Sequence, residues 1–266
     1  MEQTRRERRQ GQAVVRGNLV PSSTHDQRLL ARHQGPSDWV HMDPWRVLRI
    51  QAEFVEGFGQ LAELPPAVTV FGSARTKPDS PEYGMGRKLG RSLAEAGYAV
   101  ITGGGPGVME SANRGARDVE GAVSVGLGIE LPFEQRMNDY VDLGIEFRYF
   151  FVRKTMFVKY SCGFIALPGG FGTLDELFEA LTLVQTHKVT SFPVVLMGTE
   201  FWGGLLDWIK GTLLSTGKIA AQDLDLISVT DDVNEAVRII AEADLARSKQ
   251  REEELEAAAV QTAEPQ

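Results

Sequence analysis

From Ala67 to Thr230 the chain repeats one pattern. A short apolar run without polar alternation ends in glycine or proline, and a stretch with apolar residues at helical spacing follows. AVTVFG, YAVITGGG, GAVSVGLGI, SCGFIALPGG, FPVVLMG and LISVT read as strands. YGMGRKLGRSLAEAG, VMESANRGARD, TLDELFEALTLVQTH, FWGGLLDWIKGTLL and DVNEAVRIIAEADLA read as helices. Strands that are apolar throughout are covered on both faces, and strand–helix alternation makes them parallel. The predicted fold is therefore α/β: a Rossmann-like, doubly wound parallel sheet flanked by helices. Ligands of such sheets bind at the carboxyl ends of the strands, near a topological switch point.

Upstream the pattern changes. In DPWRVLRIQAEFVEGFGQLAEL, Asp43 reads as a helix cap with Pro44 at the first helical position. Trp45, Leu48, Val55, Phe58 and Leu61 form the predicted apolar face, docked on the core or on a partner subunit. Pro65 and Pro66 stop the helix. The expected organisation is a disordered tail over residues 1–38, an N-terminal helix over 39–66, one sheet domain over 67–245, and a charged tail over 246–266 that prolongs the last helix and then frays. Arg5, Arg6, Arg8, Arg9 and Arg16 lie in the first tail with no hydrophobic signal core behind them, which reads as a solvated arm. The stretch from Glu130 to Phe151 is the least patterned: a loop, ELPFEQRMNDYVD, then a strand, GIEFRYFF.

Two glycine clusters follow strands. TGGGPGVME, Thr102 to Glu110, lets the backbone turn sharply at a helix start, where N–H groups attract an anion or polar ligand. A tight turn without a ligand would look the same. It is not a Walker A loop, and Val108 stands where the third glycine of a dinucleotide fingerprint would be. PGGFGTLDE, Pro168 to Glu176, is more specific. Gly169, Gly170 and Gly172 leave successive N–H groups uncovered and Thr173 adds a hydroxyl, a nest suited to a monophosphate. Asp175 and Glu176 are expected in the first helical turn, either as partners of the helix dipole or as chemistry. In FFVRKTMFVKYS, helical spacing puts Arg153, Phe157 and Tyr160 on one face and Lys154 with Val158 on another. Arg153 can there pair with Glu176, hold substrate oxygens, or serve a structural ion pair.

Composition narrows the partners. The net charge is −8 with a pI near 5.2, which argues against duplex nucleic acid. The one cysteine, Cys162, reads as a buried strand residue and suits a reducing compartment, the cytoplasm. No apolar run reaches the length of a membrane span. His25, His33, His41 and His187 do not combine with Cys162 in any ligand spacing, so neither metal nor cofactor is expected.

Together these residues resemble the Lonely Guy (LOG) family of cytokinin riboside 5′-monophosphate phosphoribohydrolases, often mislabelled as lysine decarboxylases. The resemblance rests on PGGxGTxxE at Pro168 to Glu176, the pair Arg153–Lys154, the FGS strand end at Phe71 to Ser73, and GGGPGVM at Gly103 to Met109. These four elements lie in order between roughly Ala67 and Val195. The resemblance implies hydrolysis of the N-glycosidic bond of a nucleoside 5′-monophosphate, AMP or an N6-prenylated AMP, to free base and ribose 5-phosphate. It implies Glu176 and Arg153 as catalytic residues, with Gly170, Gly172 and Thr173 on the phosphate. Ser73, Gly104 and Gly105 are expected to line the rest of the pocket, with Lys154 and Gly169 also binding substrate. A homodimer or higher homo-oligomer is implied as well. The first loop departs from the plant-type GGGSxGLMG, and Glu110 replaces a glycine, which leaves base preference and subunit number open. Two other readings stand beside this one. A carrier of nucleotide or molybdenum cofactor needs only the phosphate nest. A decarboxylase needs a lysine for a pyridoxal phosphate Schiff base, and the spacing of Lys154 and Lys159 suggests none.

Overall fold

Seven of the apolar runs become seven parallel strands. The computed structural model describes residues 7–10, 13–16, 23–30, 38–131, 136–186, 188–189 and 192–263. The central sheet comprises β3 (Ala67–Phe71), β4 (Ala99–Thr102), β5 (Ser124–Ile129), β6 (Leu143–Phe147), β7 (Phe164–Ala166), β8 (Val194–Met197) and β9 (Ile227–Thr230). Its order is β6-β5-β4-β3-β7-β8-β9, with every neighbouring pair parallel. The chain winds outward from β3 to β6, returns beside β3 as β7, and winds outward the other way. The switch point therefore lies between the carboxyl ends of β3 and β7, and a crevice opens there.

Successive strand residues point to opposite faces, and both faces are buried. Phe71, Ile101, Leu127, Phe164 and Leu196 pack on one side beneath α5 (Phe150–Tyr160), α6 (Phe171–Gln185) and α7 (Thr199–Trp208). Val68, Val70, Val100, Ile165 and Val195 pack on the other beneath α3 (Pro81–Glu95), α4 (Val108–Arg117) and α8 (Val233–Ala263). This is why the strands lacked polar alternation in the sequence. Each such side chain contributes about 1.5–3 kcal/mol when fully buried. Cys162 is buried just before β7, as expected. Among the described residues no helix is long and apolar enough to cross a membrane.

The N-terminal part departs from expectation in three respects. Its described residues are not a featureless tail. β1 (Glu7–Gln10) and β2 (Ala13–Arg16) form an antiparallel hairpin, and α1 (His25–Leu30) packs on the sheet domain. A capping signal for α1 was present in THDQ. Thr24 Oγ1 accepts from the Gln27 N–H at 3.1 Å, and Gln27 Oε1 accepts from the Thr24 N–H at 2.8 Å. Second, α2 (Asp38–Leu61) starts ahead of Asp43 and carries Pro44 in its body. A proline there keeps a helical φ and forfeits one intrahelical hydrogen bond. Third, α2 docks through a different face. Trp45 and Val55 are 67% and 72% exposed, and of the predicted apolar set only Leu61 is buried. The buried positions are Arg46, Glu53, Gly57 and Leu61, themselves at helical spacing. Arg5, Arg6, His33 and His187 lie outside the described residues, as do residues 132–135 of the unpatterned loop. At the other end α8 runs on as helix to Ala263, so most of the expected C-terminal tail is helical.

Helices α3 and α4 cross closely because each offers a glycine to the other. A Cβ on Gly90 would overlap the Ala112 carbonyl oxygen, and one on Gly115 would overlap that of Arg87. Gly115→Ala gains about 1 kcal/mol of helix propensity, but main chain cannot yield as a side-chain tip can. Urea unfolding of Gly115→Ala should therefore show a net loss of about 2 kcal/mol from overpacking. An unchanged midpoint would contradict this packing.

Candidate functional site

Three glycine-rich strand ends meet at the switch point. The Ser73 N–H after β3 donates to the Pro168 carbonyl after β7, and the Val108 N–H at the start of α4 donates to the Ser73 carbonyl, both at 3.0 Å. These two bonds stitch the loops to one another through main chain. The loops border a cleft of about 720 Å³. Of the residues singled out in the sequence, Ser73, Gly104, Gly105, Gly170, Gly172, Thr173, Arg153 and Glu176 line it. Gly169 and Lys154 do not. Gly169 acts one step back: a Cβ there would collide with the Thr173 hydroxyl, so glycine lets that hydroxyl take its place. At Gly170 and Gly172 an added Cβ meets nothing, so the backbone face is open.

Helix α6 begins at Phe171 with Gly170 as its cap residue, in extended conformation and without a side-chain cap. Its first N–H groups have no intrahelical partner and sit at the positive end of the helix dipole. That is a ready anion site at one end of the cleft. The early start also corrects an expectation. Asp175 and Glu176 fall in the second turn, not the first, so neither is placed to answer the dipole.

Glu176 is 3% exposed, and neither carboxylate oxygen has a hydrogen-bond partner among the described residues. Its nearest cations stand off, Lys154 Nζ at 3.6 Å and Arg153 Nη2 at 3.7 Å. Burial pushes its pKa up to about 7, against the pull of Lys154 and Arg153. The folded chain therefore holds this proton more tightly than an unfolded chain, whose carboxyl titrates near 4.5. The associated stability is fully present below 4.5 and is lost as pH rises through about 7. Arg153 is half-buried, its side chain 13% exposed. Its pKa moves down through desolvation, opposed by Glu176, Asp175 and Asp26. Its guanidinium lies over the rings of Phe150 (4.6 Å) and Phe157 (5.5 Å), and its Nε has no hydrogen-bond partner among the described residues. Buried polar atoms without partners are uncommon, and here three of them converge on one cleft.

Lys154 stands behind the cleft wall, among acids. Its ammonium is held by Glu179 (2.7 Å) and Asp175 (3.0 Å), which ties α5 to α6. Burial lowers its pKa, but the Glu179 hydrogen bond and the Glu176 charge outweigh that and raise it overall. Glu110 is likewise structural. It accepts from the Tyr83 hydroxyl at 2.7 Å and does not line the cleft.

Other cleft residues were not singled out as site residues in the sequence. Met109, Ile129, Leu131 and Met137 make an apolar stretch of wall, and Arg75 and Arg136 stand at the exposed rim. Asn138, in the unpatterned loop, fastens the first glycine turn. Its N–H donates to the Gly104 carbonyl (2.8 Å), and its amide donates to the Gly105 carbonyl and to Asn113 Oδ1 (both 3.0 Å).

Comparison with known proteins gives the family and the fold. A family model described as "possible lysine decarboxylase" matches residues 109–240. The chain is 32% identical over 163 residues to the cytokinin riboside 5′-monophosphate phosphoribohydrolase of Mycobacterium tuberculosis, covering 59% of this chain and 84% of that protein. It is 30% identical over 162 residues to the probable enzyme LOG4 of Oryza sativa subsp. japonica, covering 58% of this chain and 67% of that one. Among solved structures it is similar to TM1055, with 26% identity and a TM-score of 0.52 over 67% of this chain and 99% of the other. A molybdenum cofactor binding protein from Rippkaea orientalis, at 24% identity and TM-score 0.50 over 68% and 98%, shares the fold.

Two glutamates, Glu176 and Glu53, have their pKa pushed up to about 7. In carbon-detected NMR of protein labelled at the glutamate carboxyl, two resonances should titrate near pH 7. Glu176→Gln should remove one and Glu53→Gln the other. Titration of every glutamate at pH 4–5 would contradict the buried, unpartnered carboxylate.

Proposed function

The chain belongs to the cytokinin riboside 5′-monophosphate phosphoribohydrolase (LOG) family, and on that premise we propose that it hydrolyses the N-glycosidic bond of a nucleoside 5′-monophosphate carrying adenine or N6-prenylated adenine. One observation carries this reading: a buried carboxylate with both oxygens unpartnered lies beside an arginine in a cleft whose end is an uncapped helix N-terminus. The 5′-phosphate binds Gly170, Gly172 and Thr173, and that remote binding energy orients the sugar. Ribose C1′ then faces Glu176. As the glycosidic bond breaks, its electron pair leaves with the base and positive charge grows on the ribose. Glu176 in its ionised form stabilises that charge and takes a proton from the water that adds to C1′. A carboxylate titrating near 7 is poised for this, because general bases work best near the operating pH. Arg153 holds Glu176 and substrate oxygens by charge. Its acidity is too weak for it to donate the proton, so water supplies the departing base.

The decarboxylase description does not fit these residues. A Schiff-base lysine needs a lowered pKa and a free amine. Lys154 is held as an ammonium by Glu179 and Asp175, with its pKa raised. Nothing in the cleft favours a carrier over an enzyme, since a carrier has no use for Glu176.

We also propose that the protein acts in the cytoplasm as a symmetric homo-oligomer. Trp45, Leu48 and Val55 leave α2 with an apolar face that the described chain does not cover. Light scattering at micromolar concentration should give at least twice the mass of one chain, and a monomer mass would overturn this. The function is tested with a panel of nucleosides and their 5′-monophosphates, with products separated by chromatography. AMP or its N6-prenylated form should yield free base and ribose 5-phosphate, and kcat/KM for adenosine should be lower by at least about a hundredfold, the loss of roughly 2.7 kcal/mol of binding. Equal kcat/KM for nucleoside and nucleotide would remove the phosphate anchor. No cleavage of any monophosphate would remove the hydrolase reading.

A further inference from the structure

Helix α5 carries Arg153 and Lys154 in its second turn, and it begins badly by its own sequence. Its cap residue, Tyr149, offers no side-chain acceptor, and its first turn holds no acid. Arg148, Arg153 and Lys154 add positive charge to the positive end of the helix dipole. The acceptors come instead from the N-terminal extension. Glu53 of α2 accepts from the Arg148 N–H at 3.0 Å and the Tyr149 N–H at 3.3 Å, and faces the Arg148 guanidinium at 3.4 Å. Asp26 of α1 accepts from the Phe150 N–H at 3.1 Å. Three consecutive N–H groups leading into α5, those of Arg148, the cap residue Tyr149 and Phe150, are thereby satisfied by two carboxylates distant in sequence. The other end of α5 is fastened to the same helix, because the Tyr160 hydroxyl donates to the Phe58 carbonyl of α2 at 3.2 Å. Helix α1 is itself anchored beside the cleft. His25 donates through its N–H to Glu130 (2.7 Å) and meets the same carboxylate through Nδ1 (2.8 Å), one residue from the cleft-lining Ile129 and Leu131.

We propose that Asp26 and Glu53 are positioning residues of the active site: by capping α5 from the N-terminal extension they hold Arg153 against Glu176. This rests on the hydrolase reading for its effect on turnover, but the positioning itself does not. Glu53 is buried because of this task, which explains why α2 turns Glu53 inward and leaves Trp45 and Val55 in solvent. Asp26 does more than cap, since its charge also acts on Arg153. The N-terminal extension is thus a working part of the cleft.

The test uses the full chain with Asp26→Ala, Asp26→Asn and Glu53→Gln, read by steady-state kinetics, thermal melting and NMR titration of the Glu176 carboxyl. Val68→Ala, a core substitution away from the cleft, serves as a control for lost stability. Asp26→Ala should lower kcat about tenfold or more, as expected when a catalytic group loses its placement, with KM within about twofold because the phosphate nest is untouched. The Glu176 carboxyl should titrate at higher pH than in the wild type, because a loosened Arg153 no longer favours its charged form. Asp26→Asn, which keeps an acceptor for the Phe150 N–H, should recover much of the activity. Val68→Ala should melt earlier with kcat and the Glu176 titration unchanged. Glu53→Gln should follow Asp26→Ala if it folds, and Asp26→Ala alone decides the matter if it does not. Earlier melting of Asp26→Ala with an unmoved Glu176 titration would make its role merely structural and overturn the proposal. Should the wild type cleave no nucleotide, the hydrolase reading fails, and the titration still decides the positioning.

Discussion

A carboxylate kept out of water needs a cation or hydrogen-bond donors beside it, or it takes up a proton. The pairing of Glu176 with Arg153 is the constraint that organises everything around the cleft. Leaving a buried donor or acceptor unsatisfied costs about 1–3 kcal/mol, and among the described residues both Glu176 oxygens, which accept, and Arg153 Nε, which donates, are left so. The pair is held in place from outside. Glu176 rides on α6, whose start is set by the PGG turn after β7. Arg153 rides on α5, whose start is set by Glu53 and Asp26. Lys154 locks the two helices to each other through Asp175 and Glu179. Separation is as important as proximity: at 3.6–3.7 Å the cations steady the carboxylate without sealing it in close hydrogen bonds, so it stays available to a substrate.

The scaffold offsets that cost elsewhere. The sheet buries apolar side chains on both faces, and α3 and α4 cross with glycine against main chain. Backbone hydrogen bonds join the loops, so the three strand ends form one connected rim. Cleft geometry then depends on the placement of α5 and α6 more than on any loop side chain.

What was legible in the sequence follows from range. The strands and the helices between them were readable because a residue's neighbours in the chain decide them: a run such as AVTVF cannot alternate if both faces are covered. PGGFGTLDE was readable because the turn, the helix start and the carboxylate are local to one another. The ion pairs of Lys154 were not readable, because its partners, Asp175 and Glu179, lie on another helix. The docking face of α2 was misread for a related reason. Apolar periodicity pointed to Trp45, Leu48 and Val55, but the chain buries Glu53, whose partners are the N–H groups of Arg148 and Tyr149, far along the sequence. The tail reading failed where Thr24 and Gln27, a local capping pair, were passed over in polar sequence. Asn138 and the rim arginines, Arg75 and Arg136, gave no periodic signal at all.

The role of Glu176 is tested most directly by Glu176→Gln, which keeps the side chain's size and removes its charge. With the monophosphate that the wild type cleaves, single-turnover hydrolysis should slow by roughly a hundredfold or more. The variant should still bind ribose 5-phosphate at its intact nest and should still melt cooperatively. Near-normal turnover in a folded Glu176→Gln protein would contradict the assignment and leave the buried carboxylate without a chemical purpose.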